Sequence, residues 1–262
     1  MKFDHYTSYS EVITNHAGKV LASLWGALEN YRHGMVLIGG LVPRFICSGN
    51  MNTTLLRPVT LDVDLGISVA VDGDMSPIDW KLRALGYRED QKEGGRFIAD
   101  IDGIRIPIDF LTEHVHPTSS IEIAGIRASN LLGVKRAIES SRKIMFEVPD
   151  EEGEAIQVPL RVCEAGAFLM LKLRAFLHRR QPKDSYDLYY VMRYYDGKHQ
   201  DGWNISNSLH SRRNRAIRQH RTHFNVWKPI LAGKKTKVPP KPPILWGHTF
   251  LLKWLWKFVK LS

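Results

Sequence analysis

Hydrophobic and polar positions change period along the chain, and the changes predict helices alternating with strands. In residues 10–31 apolar side chains recur every three or four positions, which predicts an amphipathic helix. The short apolar run at residues 35–38 predicts a buried strand. Pro43 suits the first turn of a following helix, where its missing N–H is not needed, and residues 76–86 predict another helix that starts at a Ser-Pro pair.

The middle of the chain predicts a β-hairpin. Residues 97–101 and 104–111 are strand-like and flank Asp102-Gly103, a dipeptide that favours a two-residue turn. Pro107 lies within the second of these strands, and because proline donates no backbone hydrogen bond it predicts an edge strand or a bulge there.

The next segments complete the predicted architecture. Helical spacing covers residues 129–140, strands are predicted at 143–148 and 156–162, and one or two helices broken at Pro182 are predicted at 164–195. The fold class is therefore α/β of the α+β kind, a mixed sheet with flanking helices followed by a mainly helical part. We predict three regions: a catalytic domain at 1–120, a mainly helical domain with a hairpin at 121–201, and a basic tail at 202–262.

Charge sets the tail apart from the rest of the chain. The net charge is +10, yet no acidic residue follows Asp201, while thirteen Lys and Arg do. A basic segment of this kind can contact the phosphates of RNA. A segment of altered origin, such as a frame-shifted ending, would also lack acidic residues, and both interpretations stay open. Residues 244–261 form an amphipathic pattern interrupted by Lys253 and Lys257, so a packed or interfacial helix is expected rather than a membrane span.

Cysteine usage and the first residues indicate a cytoplasmic protein. Cys47 and Cys163 have no zinc-site spacing and lie among apolar neighbours, which predicts buried free thiols in a reducing compartment. The first residues are polar and lack the apolar run of a signal peptide.

Three aspartates are the candidates for chemistry. Asp62 and Asp64 are separated by one apolar residue and share a strand face, while Asp109 lies in the second strand of the predicted hairpin. Carboxylates that converge in this way suit Mg²⁺ or Mn²⁺, although an isolated Asp-x-Asp is often a solvated strand end. Gly39 and Gly40 follow the first strand and would let a phosphate approach the backbone, or simply form a tight turn.

These residues occur in the order found in a known superfamily. Gly39, Gly40, Asp62, Asp64 and Asp109 resemble the motifs of DNA polymerase β-type nucleotidyltransferases. Residues 167–188 are similar to the helical Lys…Arg…Lys-Asp-x-x-Asp-Leu signature of the AbiEii/AbiGii toxin-related branch. The resemblance implies a nucleotidyltransferase fold and transfer of a nucleoside monophosphate from a nucleoside triphosphate (NTP) to an acceptor hydroxyl.

The resemblance also implies a role for each matching residue. Asp62, Asp64 and Asp109 would hold Mg²⁺ or Mn²⁺, and Lys172 would hold the triphosphate and act in catalysis. The remaining nucleotide-binding candidates are Gly39, Gly40, Arg57, Thr60, Arg179, Asp184 and Asp187. Two departures from the family pattern are Leu41 after the glycines and the two-residue separation of Arg57 from Thr60.

Structural alternatives exist for the charged candidates. Arg57 could neutralise phosphate charge or could be a solvated surface arginine. Lys172 at a helix edge could cover apolar surface with its stem, and Asp184 and Asp187 could form salt bridges within the helices. His114 and His116 form an alternating pair, but without partner ligands they are interpreted as loop histidines that follow a strand.

The leading hypothesis is a metal-dependent nucleotidyltransferase in a toxin–antitoxin or phage-defence setting. The expected partners are an NTP, an RNA acceptor such as the tRNA acceptor end, and a cognate antitoxin. Two alternatives remain, a nucleotide- or nucleic-acid-binding protein without catalysis and an enzyme that modifies a protein hydroxyl in an AMPylation-like reaction.

Overall fold

The structure is a computed structural model and describes most of the first 195 residues. The chain divides into two units between Tyr195 and Asp196, and every described residue belongs to the first unit. The described residues are 11–47, 58–71, 76–116, 118–150 and 152–195. Arg57 and the basic tail at 202–262 lie outside them.

The helices flank the sheet and largely follow the predicted pattern. They are α1 (Glu11–Ala27), α2 (Pro43–Ile46), α3 (Ile78–Ala84), α4 (Val134–Glu139), α5 (Ala165–Arg179) and α6 (Pro182–Tyr194), with 3₁₀ turns at Glu29–Gly34 and Gly39–Leu41. Pro43 and Pro182 each stand at the start of a helix, as predicted. Arg180, which has a φ of 51°, ends α5 in the left-handed conformation.

The strands form one mixed sheet. They are β1 (Met35–Ile38), β2 (Val63–Ile67), β3 (Arg88–Glu89), β4 (Arg96–Ile101), β5 (Ile104–Thr112), β6 (Ser120–Ile123), β7 (Ile126–Asn130), β8 (Ser141–Pro149) and β9 (Ala155–Cys163). Within the described residues the strand order is β3-β4-β5-β2-β1-β9-β8, and β7 pairs with β5 and β6. Strands β2 and β5 are parallel, as are β1 and β9, whereas β1 and β2 are antiparallel. The predicted fold class, a mixed sheet with flanking helices, is confirmed.

The predicted hairpin is confirmed as β4 and β5, which turn at Asp102-Gly103. The edge-strand expectation for Pro107 is wrong, because β5 lies between β4 and β2. Pairing of β5 with β2 begins at Ile108, so Pro107 lies just outside it and pairs across to Ile98 of β4. Proline is tolerated at this position because no hydrogen bond to β2 is required there.

Strand β7 was not predicted, since residues 129–140 have helical spacing. The helix begins only at Val134, after Gly133 with a φ of 109°. Residues 126–130 instead pair with β5 and β6, a tertiary contact that a local pattern does not encode. The domain boundary predicted near residue 121 lies inside β6, and the sheet is continuous across it because β9 pairs with β1.

The core lies between the sheet and α1. Leu21, Leu24 and Trp25 of α1 are fully buried, and the Trp25 indole Nε1 donates to the Pro159 carbonyl at 3.2 Å. Cys163 is buried, as predicted, whereas Cys47 is half-buried, and the two cysteines are not joined in a disulfide. Among the helices that the structure describes, none is long and apolar enough to cross a membrane.

Candidate active site

The candidate site begins directly after β1, at Gly39 and Gly40. Gly39 has a φ of 76°, and a Cβ placed on it would lie 1.8 Å from Oδ2 of Asp64. A Cβ on Gly40 would lie 2.4 Å from the Thr60 hydroxyl oxygen and 3.1 Å from the Lys183 Nζ. The two glycines therefore allow the backbone to pass directly against a carboxylate and an ammonium group.

Thr60 orients one of the candidate metal ligands. Its hydroxyl donates a short hydrogen bond to Oδ1 of Asp62. Thr60 is itself fully buried, and its backbone N–H donates to the Thr14 hydroxyl of α1 at 3.0 Å. The Thr60 hydroxyl group therefore favours one rotamer of the Asp62 side chain.

Asp64 and Asp109 are neighbours across the sheet. They occupy matching positions of the parallel strands β2 and β5, and both side chains are half-buried, as is Asp62. The sheet therefore brings Asp109 beside Asp64, although the two residues are 45 positions apart in the sequence, and Asp62 lies just before β2.

Arg96 lies on β4, which neighbours β5 on the side opposite β2, and its side chain contacts Asp109. Its place at the site was not predicted from the sequence. Its Nε donates to Oδ1 and its Nη2 to Oδ2 of Asp109, both at 2.7 Å. The hydrogen bonds that Arg96 donates to Asp109 raise the pKa of Arg96, against the effect of burial. A signal was present in the sequence, because a two-residue turn at Asp102-Gly103 sets residue 96 opposite residue 109.

Helices α5 and α6 contribute a cluster of ion pairs around two fully buried aspartates. Asp184 accepts from Nε and Nη2 of Arg179, at 2.6 and 2.8 Å. The Nζ of Lys172 lies 2.7 Å from Oδ2 of Asp187 and 3.5 Å from Oδ1 of Asp184. Lys183 reaches the same Oδ2 of Asp187 at 3.1 Å. All four helical candidates are therefore brought together, with Lys183 as a fifth member.

The pKa values in this cluster reflect a balance between burial and pairing. Burial lowers the pKa of Lys172, but Asp187 and Asp184 outweigh burial and raise it. Burial raises the pKa of Asp184, but the Arg179 hydrogen bonds and the charge of Lys172 outweigh burial and lower it. Both side chains are therefore charged near neutral pH. Asp64 also raises the pKa of Lys172 and Arg179, so the cluster lies within electrostatic reach of the strand carboxylates.

Lys183 was missed as a site residue although it belongs to the quoted helical signature. Its position four residues before Asp187 on α6 predicts an i,i+4 pair, which the structure contains. What the sequence does not indicate is the proximity of its Nζ to Gly40, since that depends on how α6 packs near the end of β1.

The donor set suits a hard divalent ion at Asp62 and Asp64. Both are carboxylates, and Mg²⁺ is commonly held by one or two carboxylates together with substrate phosphates and water. No group of three or more His, Cys, Asp or Glu side chains in the described part of the chain is arranged to hold a metal ion. Both oxygens of Asp109 accept hydrogen bonds from Arg96. The residues therefore fit one ion readily, and a third protein carboxylate is engaged elsewhere.

His114 and His116 follow β5, as the loop interpretation expected. Their ring centroids are 5.9 Å apart. Neither ring nitrogen of His114 has a hydrogen-bond partner among the residues that the structure describes. With no third ligand described beside them, they remain outside the candidate site.

Comparisons with known proteins give one distant similarity. No protein-family model matches the chain, and no curated protein matches it. Among solved structures the chain is similar to an antigenic nucleotidyltransferase-like protein from Paracoccidioides brasiliensis. The identity is 14% and the TM-score is 0.34, over 81% of this chain and 90% of that chain. The function proposed below rests on the side-chain geometry and the sequence motifs.

Proposed function

We propose that the chain is a Mg²⁺- or Mn²⁺-dependent nucleotidyltransferase of the DNA polymerase β-like superfamily. It would transfer a nucleoside monophosphate from an NTP to an acceptor hydroxyl. The observation that supports this proposal is the packing of the Gly39-Gly40 backbone against the Asp64 carboxylate and the Lys183 ammonium group, with Asp62 held next to them by Thr60. Carboxylates for a divalent ion, backbone N–H groups and a cation are features that a metal-bound triphosphate can use together.

The triphosphate would lie along the backbone at Gly40. Lys183 lies next to this glycine and could donate to a phosphate oxygen, while Asp187 holds its ammonium group in place. Arg179 is about one-third exposed, whereas Lys172 is almost fully buried. Arg179 is therefore the more accessible cation for phosphate contact. The Lys183 side chain is only 13% exposed, and its proposed role rests on its position beside Gly40. Lys172 supports both by compensating the two buried aspartates.

The carboxylates would orient the reacting groups. Thr60 fixes Asp62, and Asp64 lies against Gly39, so both oxygen ligands are positioned before substrate arrives. When bound, a divalent ion neutralises phosphate charge and lowers the pKa of an attacking hydroxyl. Positioned cations then stabilise the negative charge that develops on the departing pyrophosphate.

The proposal also includes an acceptor molecule and a biological setting. The resemblance to AbiEii/AbiGii toxins supports RNA, in particular the tRNA acceptor end, and a toxin–antitoxin or phage-defence role with a cognate antitoxin. The basic tail supports contact with a nucleic-acid backbone through charge.

The direct test is incubation of the full chain with each labelled NTP, Mg²⁺ and total RNA. We expect label on RNA, loss of labelling with a chelator, and recovery with Mg²⁺ or Mn²⁺. Label on protein would instead support the AMPylation-like alternative. NTP binding without transfer to either acceptor would identify a non-catalytic binding protein and contradict the proposed reaction.

The tail has its own test in the full chain. Replacing Arg212, Arg213, Arg215 and Arg218 together by Gln should weaken RNA binding and make its salt dependence shallower, since each neutralised phosphate releases counterions. The matched control replaces Arg88, Arg105, Arg136 and Arg174, which lie on other elements, by Gln. Equal salt slopes for the tail variant and the unmodified chain would exclude the tail as an RNA contact.

A further inference from the structure

We propose that the site binds a single divalent ion on Asp62 and Asp64, and that the guanidinium of Arg96 takes the place of a second ion at Asp109. This inference rests on the function proposed above and specifies its metal requirement. It assigns Arg96 as a positioning residue that acts through Asp109.

The first support is the geometry of the ion pair. Arg96 and Asp109 form two parallel hydrogen bonds of 2.7 Å, a bidentate arrangement that uses both carboxylate oxygens. The side chains are only 16% and 21% exposed. The guanidinium uses one lone pair of each Asp109 oxygen, so a metal ion at Asp109 would be confined to the remaining lone pairs and would lie close to a fixed positive charge.

The second support is the backbone that holds Arg96. Arg96 and Asp109 are directly opposite in the β4–β5 ladder, so the strand pairing itself sets their separation. The preceding Gly95 has a φ of 90°, and a Cβ there would lie 2.7 Å from the Arg127 carbonyl oxygen. The Gly95 N–H also donates to Oε1 of Glu89 at 3.1 Å. The guanidinium is thus presented from a closely packed segment.

The third support is the position of the charge. The third guanidinium nitrogen of Arg96, Nη1, forms an ion pair with Glu93. Asp62 also interacts electrostatically with Arg96, so the guanidinium lies within reach of a second strand carboxylate. The guanidinium compensates Asp109 and Glu93, and a divalent ion would compensate Asp62 and Asp64. A second divalent ion would have to enter beside a fixed positive charge.

The test measures Mn²⁺ stoichiometry by electron paramagnetic resonance, using the full chain and an α,β-methylene NTP analogue that cannot be cleaved. We expect one bound Mn²⁺ in the unmodified protein. Asp64→Asn should weaken its binding at least tenfold, whereas Asp109→Asn should change its affinity less than threefold. Arg96→Gln should release Asp109 and allow a second, weaker ion to bind.

The matched control is Arg105→Gln, which removes an exposed arginine from the adjacent strand of the same hairpin and should leave one ion. Two ions in the unmodified protein, with loss of one in Asp109→Asn, would overturn the inference. If Arg96→Gln does not fold, the comparison of Asp109→Asn with Asp64→Asn still decides. Failure of the unmodified chain to bind Mn²⁺ or transfer label would overturn the proposed function itself, whereas transfer with two bound ions would overturn only the inference.

Discussion

Aspartates occur in two contrasting environments in this protein, at the strand ends and between α5 and α6. Asp62 and Asp64 are half-buried, and Asp64 packs against the backbone of Gly39. Asp184 and Asp187 are fully buried, and each contacts two cationic side chains. The helix pair fixes protein cations, whereas on the proposed function the strand pair would hold a bound ion, and we expect the difference in burial to separate these two roles.

The contrast matters because a buried charge depends on its partners. Removing one partner from a buried ion pair leaves an uncompensated charge and is strongly destabilising, while a half-buried carboxylate retains water as an alternative. Substitutions in the two environments should therefore separate activity from stability.

The largest expected effect is on activity at the strand ends. Asp64→Asn keeps the shape of the side chain and removes the charge needed for a divalent ion, so label transfer should fall by about a thousandfold or more. The free energy of unfolding should change by less than about 1 kcal/mol, because the side chain is half-buried. Transfer assays and urea denaturation on the same preparation measure both, and near-normal turnover would contradict the proposed mechanism.

The helix pair should show the opposite balance. Asp187→Asn leaves Lys172 with one carboxylate partner instead of two, and we expect a loss of about 3–5 kcal/mol in the free energy of unfolding. Denaturant unfolding measures the loss, with Asp64→Asn as the matched Asp-to-Asn control. Equal stability of the two variants would show that the difference in burial has no energetic consequence.

Variants of Lys183 and Lys172 test the same contrast between loss of activity and loss of stability. Lys183→Ala removes the cation beside Gly40, and NTP use should fall about ten- to a thousandfold, by analogy with loss of one transition-state donor. Lys172→Ala should lower NTP use as well, but with a loss of stability, because Lys172 compensates two buried carboxylates. Rates at limiting NTP and unfolding curves for both variants test this. An unchanged rate in Lys183→Ala would exclude direct phosphate contact by that residue.

Local patterns were sufficient to predict much of the fold. The β4–β5 hairpin follows from Asp102-Gly103, and β8 and β9 match the strands predicted at 143–148 and 156–162. Proline at helix starts also places α2 and α6. Strands β3, β6 and β7 were not predicted, because each has only two to five residues and their patterns are weak. The pairing of β7 with β5 also joins segments separated in the sequence.

Most residues of the candidate site were predicted from the sequence, but the contacts between their side chains were not. The aspartates and Lys172 were identified from motif order; the sheet pairs Asp64 with Asp109, and the helices place Lys172 against Asp187. The position of Arg96 opposite Asp109 follows from the two-residue turn of the hairpin, a signal that the prediction from the sequence did not use. The contact of Lys183 with the Gly40 region requires helix packing, which the spacing within one segment does not contain. For Arg57 the predicted role stays a prediction.

The smallest expected effect concerns the pH dependence of stability. The pKa of Asp184 lies below its ordinary value of 3.8 because Arg179 and Lys172 outweigh the effect of burial. A depressed pKa means that the unfolded chain binds the proton more readily, so the ionised Asp184 stabilises the fold above about pH 4, and this contribution is lost as the pH falls through the lower folded value. The free energy of unfolding of the unmodified protein should therefore decline more steeply below pH 4 than that of Asp184→Asn. Urea titrations at several pH values between 2 and 6 measure both slopes, and parallel curves would show that Asp184 is not held ionised by its partners.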